Sequence, residues 1–253
     1  MFDNIHIATI LVSYVAILFA LSVHEAAHAA AAYYLEDDTA ARLGRMTLNP
    51  LAHIDPLGTL ILPLLGMISG IRVLGWAKPV PVNPGRLTRK YPMRVGYAMV
   101  AAAGPASNMV QSLVFLVILA VLIRVVGPEN PTVRLNWFFA SMQIPVERFM
   151  EVPGMGTGTA LAITLLGRLV WINIGLAIFN LLPFGPLDGA GILRGFLPHH
   201  TLPTFDRIQP TITIVLLVCF LVLPVVITTI LSPFFYVADI LYITPLARLL
   251  LGA

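Results

Sequence analysis

The sequence predicts an all-α polytopic membrane protein with about five to six membrane segments and a short extended or β-hairpin element. Three observations lead there. Of the 253 residues, 58% are hydrophobic and 11% charged, and the mean hydropathy is +0.90, a balance that soluble domains do not carry. The apolar residues come in runs of roughly 20 or more, the length of a helix that crosses a bilayer. Ile71 to Pro84 instead mixes β-branched residues, Gly75 and prolines, which disfavour helix. A single membrane-embedded domain over 1–253 is expected, with a core at about 7–197 and additional C-terminal membrane segments at about 210–251, because no stretch could build a sizeable soluble domain.

Ile7 to Tyr34 is the first span. It lacks the basic region and small-residue cleavage site of a signal peptide, so it is expected to remain as structure. Leu57 to Gly70 is short for a crossing and reads as a re-entrant or tilted segment packed against protein, since lipid cannot satisfy irregular backbone. Further spans are expected at about 95–126, 158–184 and 210–231, with a weaker candidate at 232–251. Cys219 is the sole cysteine, which excludes an intramolecular disulfide and a thiolate zinc cluster.

The net charge of +3 reflects orientation rather than nucleic-acid binding. Arg42, Arg45, Arg72, Lys78, Arg86, Arg89, Lys90, Arg94, Arg194 and Arg207 fall between spans on what would be one side, which is expected to be cytoplasmic. The connection from Gly127 to Thr157 sets Arg134 and Arg148 against Glu129, Glu147 and Glu151, which suits the opposite face. Trp137, Phe138 and Phe139 there read as interface anchors. Arg124 and Arg168, inside spans, read as snorkelling or paired. The protein is expected in the plasma membrane, with its site nearer the cytoplasmic side.

Within the first span stands His24-Glu25-Ala26-Ala27-His28, in a run with no other charged residue. Histidines four apart on a helix point the same way and can reach one zinc ion. Glu25 projects beside the open coordination position, where it can take a proton from the water the metal activates and pass it to a leaving amine. An ionisable group at membrane depth is costly unless paired or functional. A third ligand is needed, and Asp188 in Asn180-Leu-Leu-Pro183-Phe-Gly-Pro186-Leu-Asp188-Gly189 is the candidate, because Pro183 and Pro186 break the span at a comparable depth. The alternative makes Asp188 an N-cap for a helix over Gly189 to Leu197.

These blocks resemble the site-2 protease family of intramembrane zinc metalloproteases, in its compact subgroup without an added soluble domain. His24-Glu25-x-x-His28 resembles the family's zinc-binding and catalytic motif, and Asn180-x-x-Pro183 to Asp188-Gly189 its second motif. Gly44-Arg45-Met-Thr47-Leu-Asn49-Pro50 with His53-Ile-Asp55-Pro56-Leu-Gly58, and Gly104-Pro105-Ala-Ser107-Asn108, resemble further stretches. The resemblance implies one zinc per chain held by His24, His28 and Asp188, with Glu25 as base and Asn180 holding the substrate backbone or the developing oxyanion. It implies an endopeptidase that cuts transmembrane segments of membrane proteins.

Two other readings stay open. A zinc-binding transporter or inactive scaffold would use the same ligands, but ion binding alone does not need Glu25. A partner-binding protein could dock through Gly127 to Thr157, where no motif is evident. Ile71 to Asn83 is expected either as a short ribbon that receives unwound substrate by strand addition or as an ordinary loop. His53 is a possible second-layer partner of the metal or a structural loop histidine. His6, His199 and His200 are expected to be solvated at span ends, and Glu36-Asp37-Asp38 to be a solvated boundary.

Overall fold

The computed structural model describes residues 7–69 and 75–253. Of the described residues 78% are helical, and none lies in a strand. The helices follow in order as α1 (Ile7–Tyr34), α2 (Thr39–Arg42), α3 (Leu62–Ser69), α4 (Met93–Val126), α5 (Pro131–Gln143), α6 (Val146–Met150), α7 (Thr157–Asn180), α8 (Asp188–Phe196), α9 (Leu202–Val222), α10 (Pro224–Ala238) and α11 (Thr244–Leu251). Among the described residues, five stretches are long and apolar enough to cross a membrane: Ile7–Tyr34, Met93–Val126, Thr157–Asn180, His199–Cys219 and Thr228–Leu251.

The first three spans lie where the sequence predicts them, although the third stops at Asn180 rather than 184, ahead of Pro183. The last two are displaced from the expected 210–231 and 232–251. Pro210 is absorbed inside α9, where it removes one backbone donor. The chain breaks instead at Leu223, which takes a non-helical conformation ahead of Pro224, as residues preceding proline tend to do. The segment expected to be re-entrant is a wide turn at Pro56–Ile61 continued by α3. No β-hairpin forms among the described residues: 75–83 is irregular, and Ile71 to Leu74, like His6, lie outside the described residues.

The chain forms two compact units, each discontinuous in sequence. One comprises 1–20, 109–175 and 233–253, the other 21–108 and 176–232. In the first, Leu116, Leu119, Ile123, Met142, Ile163 and Ile243 are fully buried. Phe138 is fully buried with them and so does not anchor the membrane interface as the sequence suggests. Arg168 closes the carbonyl end of α5, with Nη1 donating to Met142 O at 2.8 Å and Nη2 to Gln143 O and Ile144 O at 3.1 Å each. It satisfies carbonyls that a helix end leaves open. Arg124 Nη1 donates to Leu250 O at 2.9 Å.

The second unit carries the candidate site. Its α8 lies against α4 through small residues: a Cβ at Gly195 would come 2.4 Å from Ala98 Cβ, and one at Gly191 3.2 Å from Ala101 Cβ. Such close helix approach is how membrane helices gain packing energy where lipid is as apolar as they are. At the end of α1, Glu36 adopts a left-handed φ of 75°, which lets Asp37 N–H reach back to Ala32 O at 2.9 Å.

Asp37 is fully buried, contrary to the solvated boundary expected for this acidic triplet. Its carboxylate accepts from the N–H and hydroxyl of Thr39 and from Asn83 N–H at 2.7 Å, so it ties the end of α1 to the end of the 75–83 segment. Burial alone would raise its pKa. The hydrogen bonds from Thr39 and Asn83, helped by the Arg86 charge, outweigh burial and hold it below the ordinary carboxylate value. A depressed pKa contributes stability that is full above the unfolded-state value and fades as pH falls through the folded one. Wild type is therefore expected to melt several degrees above Asp37→Asn at pH 7, with the gap narrowing below about pH 4, as thermal unfolding in detergent would measure.

Candidate metal centre

α1 places His24 and His28 one turn apart, 4% and 9% exposed, with their rings nearly perpendicular. What fixes them comes from α4. Val100, Gly104 and Asn108 are spaced four residues apart on that helix, so they form one stripe along it. His28 Nδ1 lies 2.8 Å from Val100 O, and His24 Nδ1 lies 2.5 Å from Asn108 Oδ1. Both partners are acceptors, so each Nδ1 carries the proton and each Nε2 presents a lone pair. Gly104 sits between them. A Cβ there would meet His28 Nε2 at 2.4 Å and His24 Cε1 at 2.5 Å, so only glycine lets the imidazoles lie this close to α4.

The third side chain arrives from a loop. The second sequence motif leaves α7 after Asn180, and Asp188 is the first residue of α8, where the helix dipole favours a negative charge. Leu187 occupies the N-cap, and no side chain caps this helix, so Asp188 is free of the capping role the sequence left open. Gly189 permits the approach: a Cβ there would lie 2.3 Å from Leu181 O and Leu182 O. Asp188 Oδ2 is 3.2 Å from His24 Nε2 and Oδ1 is 3.2 Å from His28 Nε2. The two Nε2 atoms are 3.1 Å apart.

Two imidazole nitrogens and the two oxygens of one carboxylate thus lie close together, so three residues can each offer a ligand atom to one ion. For a tetrahedral ion with bonds of about 2.0–2.1 Å, neighbouring ligand atoms are separated by about 3.3–3.4 Å, close to the spacing seen. Asp188 Oδ2 is buried without a hydrogen-bond partner, an arrangement that costs free energy unless a cation completes it. His24, His28 and Asp188 form a possible metal site, and its nitrogen and oxygen donors suit zinc.

The site lines a cavity of about 570 Å³ shared by Glu25, Asn180, Trp76, Ala77, Pro79 and Val80. Glu25 Oε2 accepts the Val80 N–H at 2.9 Å. Asn180 donates Nδ2–H to Leu176 O of its own helix at 3.0 Å, which leaves one amide proton. The segment beside Glu25 is held open by its neighbours: Trp76 N–H donates to Gly58 O at 3.1 Å, Lys78 N–H to His53 O at 2.9 Å, and Arg45 Nη2 to Lys78 O at 2.6 Å. His53 belongs to this bracing. Its ring Nε2 lies 2.9 Å from Thr47 O, a contact with a nearby loop residue and with none of the three candidate ligands.

Residues 12–223 match the model of Peptidase family M50. The chain belongs to this family, the site-2 proteases. It is 32% identical over 208 residues, 81% of this chain and 78% of the relative, to the protein of Bacillus subtilis (strain 168) named "Putative zinc metalloprotease YwhC". No solved structure matches it significantly. As a member of a zinc metalloprotease family with five apolar helices of spanning length, the M50 chain is a metallopeptidase and an integral multi-pass membrane protein.

Several groups that shape this M50 site were missed from sequence. Val100 O and Val80 N–H are backbone atoms, invisible to motif reading. Asn108 carried a signal, since a buried amide in a spanning helix reads by default as functional, but nothing in the sequence names its partner. Gly104→Ala is expected to weaken zinc binding by about 10–100-fold, the scale seen when second-layer supports are lost. Gly96→Ala, whose Cβ would meet Leu87 at an ordinary 3.5 Å, should leave zinc content unchanged in the same chelator titration.

Proposed function

We propose that this chain is an intramembrane zinc endopeptidase that hydrolyses peptide bonds in or near transmembrane segments of other membrane proteins. One observation carries the reading most: two imidazole nitrogens 3.1 Å apart each lie 3.2 Å from an oxygen of the Asp188 carboxylate, in a cavity that also holds a carboxylate bound to none of them. His24, His28 and Asp188 would hold the zinc. Bound there, it supplies the Lewis acidity that activates water and polarises a carbonyl oxygen. Glu25 takes the proton from the attacking water and returns it to the leaving amine. The remaining Asn180 amide proton donates to the oxyanion as it develops.

Substrate must present an unwound peptide, because a helix hides its scissile bond. The 75–83 segment is suited to receive it. Ala77 offers both an N–H and a carbonyl without a partner among the described residues, whereas Pro79 and Pro81 have no N–H to donate. Pairing through Ala77 would add a short strand beside Glu25, with backbone bonds giving affinity and modest sequence preference. The basic connections favour a plasma-membrane protein whose active site lies nearer the cytoplasmic side.

Glu25→Gln is expected to retain about one zinc per chain while losing cleavage by about three orders of magnitude or more, read by metal analysis beside a cleavage assay. Substantial turnover in that variant would remove Glu25 from its role. A substrate carrying photoreactive groups is expected to label residues between Gly75 and Asn83; cleavage without labelling there would reject the strand-addition step.

A further inference from the structure

We propose that Gln209 and Thr213 of α9 are positioning residues for the metal centre, holding the loop that presents Asp188. The proposal rests on the reading of Asp188 as the third ligand. The loop between α7 and α8 cannot hold itself. It contains Pro183 and Pro186, which have no N–H, and its own backbone bonds are two tight contacts, Phe184 N–H to Leu182 O and Leu187 N–H to Phe184 O. Its ends are set by α7 and by the close approach of Gly189 to the Leu181 and Leu182 carbonyls. Its middle is set from α9. Gly185 N–H donates to Gln209 Oε1 at 2.7 Å, and Gly185 O accepts the Thr213 hydroxyl. One helix thereby satisfies both backbone groups of the residue three positions before Asp188.

The setting argues that these contacts are specific. Gln209 and Thr213 are four residues apart and share a face of α9. None of the most apolar window of this span is buried, and the neighbouring Ile214 and Val215 are exposed by 62% and 54%. An amide on a helix otherwise directed at lipid is costly unless it has a partner. Gln209 Oε1 finds one in the backbone that leads to the third ligand, while its Nε2 is buried without one. Arg194 of α8 and Asp206 of α9 tie the helix that follows this loop to α9 in a paired contact at 2.9 and 3.0 Å. Loss of the Gly185 clasp would let the carboxylate wander while both histidines stay fixed by α4. Zinc affinity should therefore fall although the fold persists.

The test uses the full-length chain purified in detergent and zinc itself as probe. Zinc dissociation constants are measured by chelator competition for wild type, Gln209→Met, Thr213→Val and Thr213→Ser, together with melting temperatures in zinc and in chelator. Gln209→Met and Thr213→Val are each expected to weaken zinc binding about tenfold or more. Thr213→Ser, which keeps the hydroxyl, should stay near wild type. The melting deficit of the first two should be larger with zinc than without, because the clasp acts through the ligand. Unchanged zinc affinity in both variants, or an equal melting deficit with and without zinc, would overturn the proposal and leave the reading of the metal site standing. A folded wild type without stoichiometric zinc would instead remove that reading, and this proposal with it.

Discussion

The structure depends on the face that α4 turns to α1. Two imidazoles in a bilayer-spanning helix are a liability unless their ring protons are used, and Val100 O and Asn108 Oδ1 use them. That single requirement fixes the tautomers, aims both Nε2 lone pairs at one point and makes that point electron-rich. Gly104 is the steric counterpart, since a side chain there would occupy the space of the rings. A backbone carbonyl, a missing side chain and an amide on successive turns thus orient a helical His-x-x-x-His pair as the proposed metal site requires.

Around this rigid pair the protein arranges irregular backbone, which a membrane tolerates only where protein covers it or where it lines a cavity. Two non-helical stretches meet the cavity, 75–83 and the loop before Asp188. Neither is left to itself. The first is braced by Arg45, Gly58, His53 and the buried Asp37; the second by α7, Gly189 and α9. The residues lining the cavity are thereby held by side chains distant in sequence, and irregular backbone is kept beside Glu25.

Much of this was legible in the sequence for physical reasons. Long apolar runs can only be spanning helices, and a five-residue pattern with two histidines at helical spacing has few alternatives inside such a run. The grouping of Asp188 with the two histidines was legible because Pro183 and Pro186 follow the end of the third span and let the chain turn back before α8. The remainder was not legible because its determinants are not local. The end of α9 was misjudged because proline can either kink or stop a helix, and only packing decides which: Pro210 is absorbed, while Pro224 coincides with a break. Phe138 looked like an interface anchor because an aromatic's burial cannot be read from its neighbours in sequence. Asp37 sat in an acidic triplet that resembled a solvated boundary, and its partner Asn83 lies 46 residues away. The hairpin expectation rested on β-branched residues and glycine, yet the described part of that stretch bonds to loops and side chains rather than to a second strand.

The central claim is that His24, His28 and Asp188 hold zinc in a nitrogen and oxygen environment shaped by α4. Zinc K-edge X-ray absorption on the purified full-length chain tests it most directly. The account predicts one zinc per chain in four-coordinate geometry, with two imidazole nitrogens and oxygen neighbours at about 2.0–2.2 Å. A sulfur neighbour at about 2.3 Å, or a spectrum without imidazole scattering, would contradict it.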